Sequence, residues 1–165
     1  LDNCPRLNII LAHVAIPHWQ RSWKVIKEAK NSIQVMMYEM GYYDQYPNTS
    51  SNLLIKELID AKKRGVNVEV ILEVGKEEDR TTKRNRLTGK VLSDGGVQVI
   101  YDSPAKTTHA KFMVVDGQLA LSGSTNWTYY ALTSNNEASV LIRSKEVGQG
   151  FLDYFNRVKA TGSKK

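Results

Sequence analysis

The sequence has a single cysteine, Cys4, and only three histidines among its 165 residues. One cysteine excludes an intrachain disulfide framework and any zinc site built from several cysteines. No apolar run approaches the roughly 18–20 residues that a membrane-spanning helix needs. The sequence begins with Leu1 rather than methionine, so removal of a preceding signal or anchor segment stays open and no compartment is predicted. The single cysteine thus excludes cysteine-based scaffolds, and with only three histidines each one can be considered separately as a candidate functional residue.

The composition is that of a folded, basic domain. Hydrophobic residues make up 41% of the chain and charged residues 24%, which argues against wholesale disorder. We predict one catalytic domain over residues 1–165, with residues 161–165 as a polar, basic tail. Lys and Arg outnumber Asp and Glu by 23 to 17, a formal charge of +6. This excess favours phosphate-bearing partners, either nucleic acid or anionic phospholipid.

Strand-like and helix-like patterns alternate along the chain. Apolar runs predict strands over 7–14, 33–38, 66–74, 97–101, 111–116, 119–121 and 138–142. Helical spacing of apolar residues predicts helices over 19–30, 52–64, 82–92 and 145–159, with Ser51 as the cap of the second. Asp116-Gly117 is a common turn pair for a hairpin. The alternation favours an α/β sandwich with a central mixed β-sheet.

A polar pair, His109 and Lys111, stands immediately before the apolar run 112–115. Side chains alternate along a strand, so the pair is expected on one face, about 6–7 Å apart. Imidazole can act as a nucleophile or a general acid and base, and a lysine ammonium can stabilise a phosphoryl transition state. Ser124 and Asn126 follow the next predicted strand and offer neutral hydrogen-bond donors to other phosphate oxygens.

The segment resembles the signature of the phospholipase D superfamily, H-x-K-x4-D followed by G-S-x-N. It matches that signature at His109, Lys111, Asp116, Gly123, Ser124 and Asn126. The resemblance covers roughly residues 20–160 and implies a phospholipase-D-like α/β/α sandwich. It also implies a two-step reaction through a phosphohistidine, in which a second histidine protonates the leaving oxygen. Neither a metal nor another cofactor is needed, because lysines and amides neutralise the developing charge.

There is one motif per chain, since neither His13 nor His18 is followed by lysine two positions on. A site that needs two motif histidines must therefore be assembled from two chains. The simplest arrangement is a twofold symmetric homodimer with His109 of each chain at its axis. His13 and His18 are assigned no chemical role.

Two acidic residues near the motif receive different roles. The resemblance implies that Glu137, which precedes the strand predicted over 138–142, hydrogen-bonds His109 and fixes its tautomer. A strand-edge cap is the alternative for Glu137. Asp116 ends its strand at a hairpin turn, far from the phosphate, and a structural role in that turn is predicted.

Basic and aromatic side chains elsewhere are candidates for substrate binding. A basic helix contributes Arg80, Lys83, Arg84 and Lys90, and its face can either follow a phosphodiester backbone or be merely solvated. The aromatic candidates are Tyr42 and Tyr43 with Tyr46 in one loop, and Trp127 with Tyr129 and Tyr130 after the G-S-x-N segment. Exposed aromatics there can stack on unpaired bases or anchor a dimer interface.

These features predict a metal-independent endonuclease that hydrolyses nucleic acid, either DNA or RNA and including single strands, at a homodimer interface. The alternative is a cardiolipin-type phospholipid phosphodiesterase, against which the Tyr-rich loops count because an apolar rim is expected there. A third alternative is a non-catalytic nucleic-acid-binding module, which would not require His109.

Overall fold

Seven strands form one sheet in residues 8–10 and 18–163, the part of the chain that the computed structural model describes. The strands are β1 (Asn8–Ile10), β2 (Ser32–Met37), β3 (Asn67–Leu72), β4 (Gln98–Tyr101), β5 (Lys111–Val115), β6 (Leu119–Gly123) and β7 (Ser139–Arg143). Their order across the sheet is β1-β7-β6-β5-β2-β3-β4. The pairs among β2, β3 and β4 are parallel and the others antiparallel, which confirms the predicted mixed sheet. Cys4, His13 and the remainder of the strand predicted over 7–14 lie outside the described residues.

Helices cover both faces of this sheet. They are α1 (His18–Glu28), α2 (Ser50–Lys63), α3 (Arg80–Asp94), α4 (Tyr129–Thr133) and α5 (Lys145–Thr161). The first four contribute to one buried cluster, in which Ile26 and Leu58 pack with Val35 of β2. On the opposite face, Phe155 of α5 is buried with Phe112 of β5. The predicted α/β/α sandwich is therefore confirmed.

The start of α2 corrects the predicted helix cap. The helix begins at Ser50, and the hydroxyl of Thr49 accepts a hydrogen bond from the backbone N–H of Asn52 at 3.4 Å. Ser51 lies within the first turn and is buried, so its prediction as the cap is wrong. Thr49 instead has the extended backbone that a capping residue adopts.

Two further elements were not predicted. The short helix α4 follows the motif loop, and Ser163 in the predicted tail forms a backbone bridge to Tyr101 at the end of β4, with N···O distances of 2.8 and 2.9 Å. Part of the tail is thus attached to the sheet. Among the described residues, the helices include none of the length and apolarity required to cross a membrane.

Asp116 attaches the β5–β6 hairpin to the segment that enters β2. Its carboxylate accepts backbone hydrogen bonds from Lys30 at 3.0 Å, Asn31 at 2.7 Å and Ser32 at 2.9 Å. Burial acts to raise the pKa of Asp116, but these hydrogen bonds outweigh burial and leave the pKa below its ordinary value. Asp116 adjoins Val115, at the opposite end of β5 from Lys111. These contacts support the predicted structural role.

Replacement of Asp116 by asparagine is expected to lower the free energy of unfolding by about 1–3 kcal/mol, because an amide accepts fewer of the three bonds. Asparagine tolerates the positive φ of 51° at this position, so backbone strain is not introduced. The depressed pKa means that the carboxylate stabilises the fold above its unfolded pKa, and this contribution is lost as pH falls through the folded pKa. Urea unfolding at pH 7 and in acid checks both effects. Unchanged stability with reduced turnover would contradict the structural role.

Candidate active site

The motif residues meet at one edge of the sheet. Lys111, the first residue of β5, pairs with Met37, the last residue of β2. The end of β6 lies beside the start of β7, where Gly123 pairs with Ser139. Since β5 is antiparallel to β2 and β6, its beginning is adjacent to the ends of both strands. His109 therefore lies on the segment that leads into this edge.

His109 and Lys111 are in direct contact. The Lys111 ammonium donates to the carbonyl oxygen of His109 at 2.6 Å and lies 3.3 Å from its Nδ1. The two groups meet because His109 immediately precedes β5 and the long lysine side chain reaches back to it. The Tyr38 ring packs against the imidazole at a centroid distance of 4.5 Å, and the ammonium lies 4.8 Å from the same ring's centroid. Two potential reacting groups are thus held against one aromatic ring.

The charge of Lys111 is sensitive to its surroundings. Only 9% of the residue is exposed, and this burial lowers the pKa of its ammonium, while the carboxylates of Glu137 and Glu39 act in the opposite direction. His109 itself is exposed. The site therefore combines a solvent-accessible imidazole with a largely desolvated cation, whose interaction with a phosphate oxygen is strengthened by the low local dielectric.

The loop after β6 is fastened to the start of β7. The backbone N–H of Ser124 donates to the carbonyl of Ala138 at 2.9 Å, and the Ser124 hydroxyl donates to the Glu137 carboxylate. A Cβ on Gly123 would lie 2.2 Å from that same carbonyl oxygen and 2.1 Å from the hydroxyl of Ser139. Only glycine allows the two strands to approach this closely at that point.

Asn126 places an unsatisfied polar atom in this loop. Its Oδ1 is buried and has no hydrogen-bond partner within the described part of the chain. An unsatisfied buried acceptor costs about 1–3 kcal/mol, so native proteins usually provide it with a partner. The neighbouring Thr125 hydroxyl is paired with that of Ser139 at 3.2 Å, which fixes the loop around Asn126. The unsatisfied atom is an acceptor and requires an N–H or O–H group, whereas a bond to a phosphate oxygen requires the N–H group of the same amide.

Glu137 does not contact His109 as predicted. Its carboxylate accepts from the Ser124 hydroxyl and, at 3.3 Å, from the Asn135 side-chain amide. The reason is that the backbone pairing of Ser124 with Ala138 brings Ser124 next to Glu137. In this structure Glu137 therefore positions the motif loop and adds a negative charge near Lys111.

A family described as cardiolipin synthase, PLD-like domain, matches residues 23–159. The chain belongs to the phospholipase D superfamily. Nuc from Salmonella typhimurium, described as a phospholipase D family member, superimposes with a TM-score of 0.75 and 26% identity over 88% of this chain and 89% of Nuc. NucT from Helicobacter pylori superimposes with a TM-score of 0.67 over 96% of this chain and 97% of NucT; at 16% identity, that likeness concerns the fold alone.

The mitochondrial cardiolipin hydrolase of Canis lupus familiaris is similar to this chain in sequence. It is 33% identical over 95 residues, which are 58% of this chain and 35% of that protein. This chain therefore spans about a third of the length of the hydrolase. The superfamily assignment identifies the His109 region as a phospholipase-D-like motif. The neighbouring residues Glu39 and Arg84 are not part of the signature.

Glu39 and Arg84 form an ion pair beside the motif that sequence reasoning missed. Glu39 is buried just after β2, and its carboxylate accepts from the Arg84 guanidinium of α3. The backbone carbonyl of Glu39 also accepts from the N–H of Trp127 at 3.0 Å. The sequence offered one indication of this site: Glu39 is an acidic residue directly after the apolar run that ends at Tyr38. Polar residues at such strand ends often line a binding site. The pair connects α3 to the phospholipase-D-like loop.

The predicted aromatic contacts need correction. Trp127 is 1% exposed and belongs to the main buried cluster, so it cannot stack on a substrate base. Tyr42 is half-buried and packs against the same cluster. Tyr43 is also half-buried, with the Arg84 guanidinium 5.8 Å from its ring centroid. Both loops contribute to packing around the site, and the exposed aromatics of these two loops are instead Tyr46, Tyr129 and Tyr130.

The basic candidates on α3 do not act alike. Arg80 and Lys83 are exposed, whereas Arg84 is turned toward Glu39. Lys90 lies one turn from Asp94 and pairs with it at 2.6 Å. Lys90 is thus already neutralised locally, which leaves Arg80 and Lys83 as the predicted α3 residues that are exposed and outside an ion pair.

A buried acidic pair supports the segment that contains His109. Glu73 follows β3 and Asp102 follows β4, and both are buried. The Glu73 carboxylate accepts from the backbone N–H of Thr108, and Asp102 accepts from that of Val74 at 2.8 Å. Burial and the adjacent Asp102 raise the pKa of Glu73 to about 7. Protonation of this pair therefore alters the hydrogen bond that holds Thr108, the residue before His109.

We expect the stability of the protein to fall as the pH rises from about 4.5 to about 7, because the folded state retains the Glu73 proton that the unfolded chain releases. The loss reaches up to about 3 kcal/mol if this group acts alone. Glu73→Gln should remove this part of the pH dependence, since its amide can still accept from Thr108 and donate to Asp102. Urea unfolding between pH 4.5 and 8 compares the two proteins. Identical slopes would show that Glu73 is not the titrating group.

Proposed function

We propose that the protein is a metal-independent phosphodiesterase that cleaves nucleic acid through His109. The contact between the Lys111 ammonium and the exposed imidazole, 3.3 Å apart, supports this proposal most directly. A nucleophile and a charge-stabilising cation at this distance can act on the same phosphate group. The Asn126 side-chain amide offers a neutral N–H donor at its other side, whereas the Ser124 hydroxyl donates to Glu137 and holds the loop.

In the first step, His109 attacks phosphorus through Nε2, and the bond from phosphorus to the leaving oxygen breaks. Attack through Nε2 requires that the imidazole proton be on Nδ1. A protonated Nδ1 cannot hydrogen-bond to the Lys111 ammonium, because both groups are then donors. We infer that a bound phosphate draws the ammonium to its oxygens, which leaves Nδ1 free to carry the proton.

A second histidine completes the proton balance. It begins protonated and gives its proton to the leaving oxygen, then takes a proton from water as that water attacks the phosphohistidine. The phosphorus–nitrogen bond breaks, and both histidines return to their starting states. Lys111 stabilises the negative charge that develops in both steps.

The second histidine is assigned to His109 of another copy, because the sequence has one motif. An open pocket of about 430 Å³ adjoins the motif. Its lining is formed by His109, Ala110, Lys111, Phe112, Ser122, Gly123, Ser124, Phe151 and Tyr154. An exposed imidazole at a concave surface allows a twofold symmetric copy to approach, so a homodimer is the proposed active species.

Nucleic acid is favoured as the substrate by charge. The chain has a formal charge of +6, and the exposed Arg80 and Lys83 lie on the helix that also supplies Arg84. A phosphodiester backbone is the ligand best suited to such a basic surface.

A phospholipid phosphodiesterase is the second candidate. The matching family is described by a cardiolipin synthase domain, and one relative is a cardiolipin hydrolase. The pocket beside His109 also has an aromatic wall, in which the rings of Phe112 and Phe151 are 4.9 Å apart. An apolar wall of this kind suits an acyl chain as well as a base.

Turnover of four substrates in excess EDTA distinguishes these functions. Single-stranded DNA, single-stranded RNA, duplex DNA and cardiolipin vesicles are compared under identical conditions. The proposal expects cleavage of a nucleic acid with no loss on chelation. Cleavage of cardiolipin alone would support the second candidate, and absence of turnover on all four would support a binding module.

A further inference from the structure

Two adjacent tyrosines form an exposed aromatic surface beside the motif loop. Tyr129 is 43% exposed and Tyr130 is 69% exposed. Their ring centroids are 5.3 Å apart and the rings are nearly perpendicular, at 80°. Single exposed apolar residues are ordinary on protein surfaces, but two large rings in edge-to-face contact form a larger continuous patch.

This tyrosine pair is held by buried neighbours. Trp127, two residues before Tyr129, is buried, and so are Ala131 and Leu132 on the inner side of α4. The backbone N–H of Tyr129 donates to the hydroxyl of Tyr43 at 3.2 Å. The pair is therefore presented on a fixed support, which reduces the entropy lost when a ligand binds.

The tyrosine pair is also close to the proposed scissile phosphate. Tyr129 is three residues after Asn126, and three residues of extended chain span at most about 10 Å. That distance corresponds to about three nucleotides along a stacked strand. The Arg84 guanidinium lies 5.8 Å from the ring centroid of Tyr43 and is paired with the Glu39 carboxylate, so it supports Tyr43 rather than supplying a free charge. The tyrosine pair is thus within reach of a strand whose phosphate lies at the motif.

We propose that Tyr129 and Tyr130 form a stacking site for unpaired bases next to the scissile phosphate, so that the substrate is a single strand. The proposal rests on the proposed function and specifies its substrate class. Aromatic rings stack on any base that is not already enclosed in a duplex. The formal charge of +6, with Arg80 and Lys83 exposed on α3, favours a polyanionic strand over a neutral apolar partner.

Binding is measured in a His109→Ala background, so that cleavage does not interfere. Fluorescence anisotropy compares the parent with a Tyr129→Leu/Tyr130→Leu protein, using a labelled 12-mer single strand and the same 12-mer with abasic sites. The leucine pair should weaken binding of the normal strand by about 5- to 100-fold, and the abasic strand should bind both proteins equally weakly. Tyr129→Phe/Tyr130→Phe retains both rings and is the matched control, with affinity expected within about twofold of the parent.

Several outcomes would overturn the proposal. These are unchanged affinity in the leucine pair, an equal loss on normal and abasic strands, and stronger binding of duplex than of single strand. Dissociation of a dimer by the leucine pair in sedimentation would identify an interface instead. Loss of cardiolipin-vesicle binding with unchanged strand binding would identify a lipid contact. Base-dependent binding by a wild-type protein that cleaves no phosphodiester would contradict the proposed function alone.

Discussion

Alanine in place of His109 is expected to reduce phosphodiester cleavage by about 10³-fold or more, because it removes the imidazole that forms the covalent bond to phosphorus in the proposed mechanism. The loss should appear in kcat, since Lys111 and Asn126 still bind the phosphate. His109 is exposed, so the substitution leaves no buried cavity, and the thermal unfolding temperature should change by only a few degrees. Initial rates on a single-stranded oligonucleotide in EDTA provide the measurement.

His13→Ala serves as the matched control, because His13 lies outside the motif and was assigned no chemical role. Its turnover should equal that of the parent protein. Retention of more than a few per cent of activity by a folded His109→Ala protein would show that the nucleophile is elsewhere.

A mixed dimer with a single intact His109 is expected to lose nearly all turnover. In the proposed mechanism one imidazole attacks while the other protonates the leaving oxygen, so each active site requires both copies. Loss of general acid catalysis alone costs about 10²–10⁴-fold. Coexpression with two different affinity tags and sequential purification isolates the mixed dimer. Its rate is then compared with that of a doubly tagged dimer with two intact copies.

The rate of the mixed dimer distinguishes one active site shared by two copies from two independent active sites. Half of the parental rate in the mixed dimer would mean that each His109 works independently, and the shared site would be wrong. A strictly monomeric and fully active protein in sedimentation would contradict it as well. A mixed dimer that accumulates a covalent intermediate without turnover would locate the loss in the proton-transfer step.

The central strands and the motif were predictable because their signals are local. The short, β-branched apolar run 112–115, followed by a turn pair, favours a buried strand, and the residues on both sides of it then lie at the sheet edges. Asp116-Gly117 specifies its own turn, and both residues have positive φ in the structure, 51° and 67°. The position of the motif at one sheet edge follows from these two features.

The partners of the motif could not be predicted, because they come from distant elements. Whether Trp127 was exposed or buried depended on the packing of the segment around Met40, with which it forms a backbone bridge. Likewise, Arg84 could be recognised as basic but not as the partner of Glu39, which lies 45 positions earlier. The Glu73–Asp102 pair depends on the parallel pairing of β3 with β4, which brings two separate strand ends together.

Detection of a covalent intermediate on His109 tests the central claim most directly. The protein is mixed in EDTA with excess single-stranded oligonucleotide, quenched within milliseconds to seconds at alkaline pH, where phosphohistidine persists, and analysed by peptide mass spectrometry. We predict an adduct of the 5′- or 3′-phosphoryl fragment on the peptide that contains His109, formed and consumed at rates compatible with turnover. Turnover with no adduct, or with the adduct on another residue, would contradict the account.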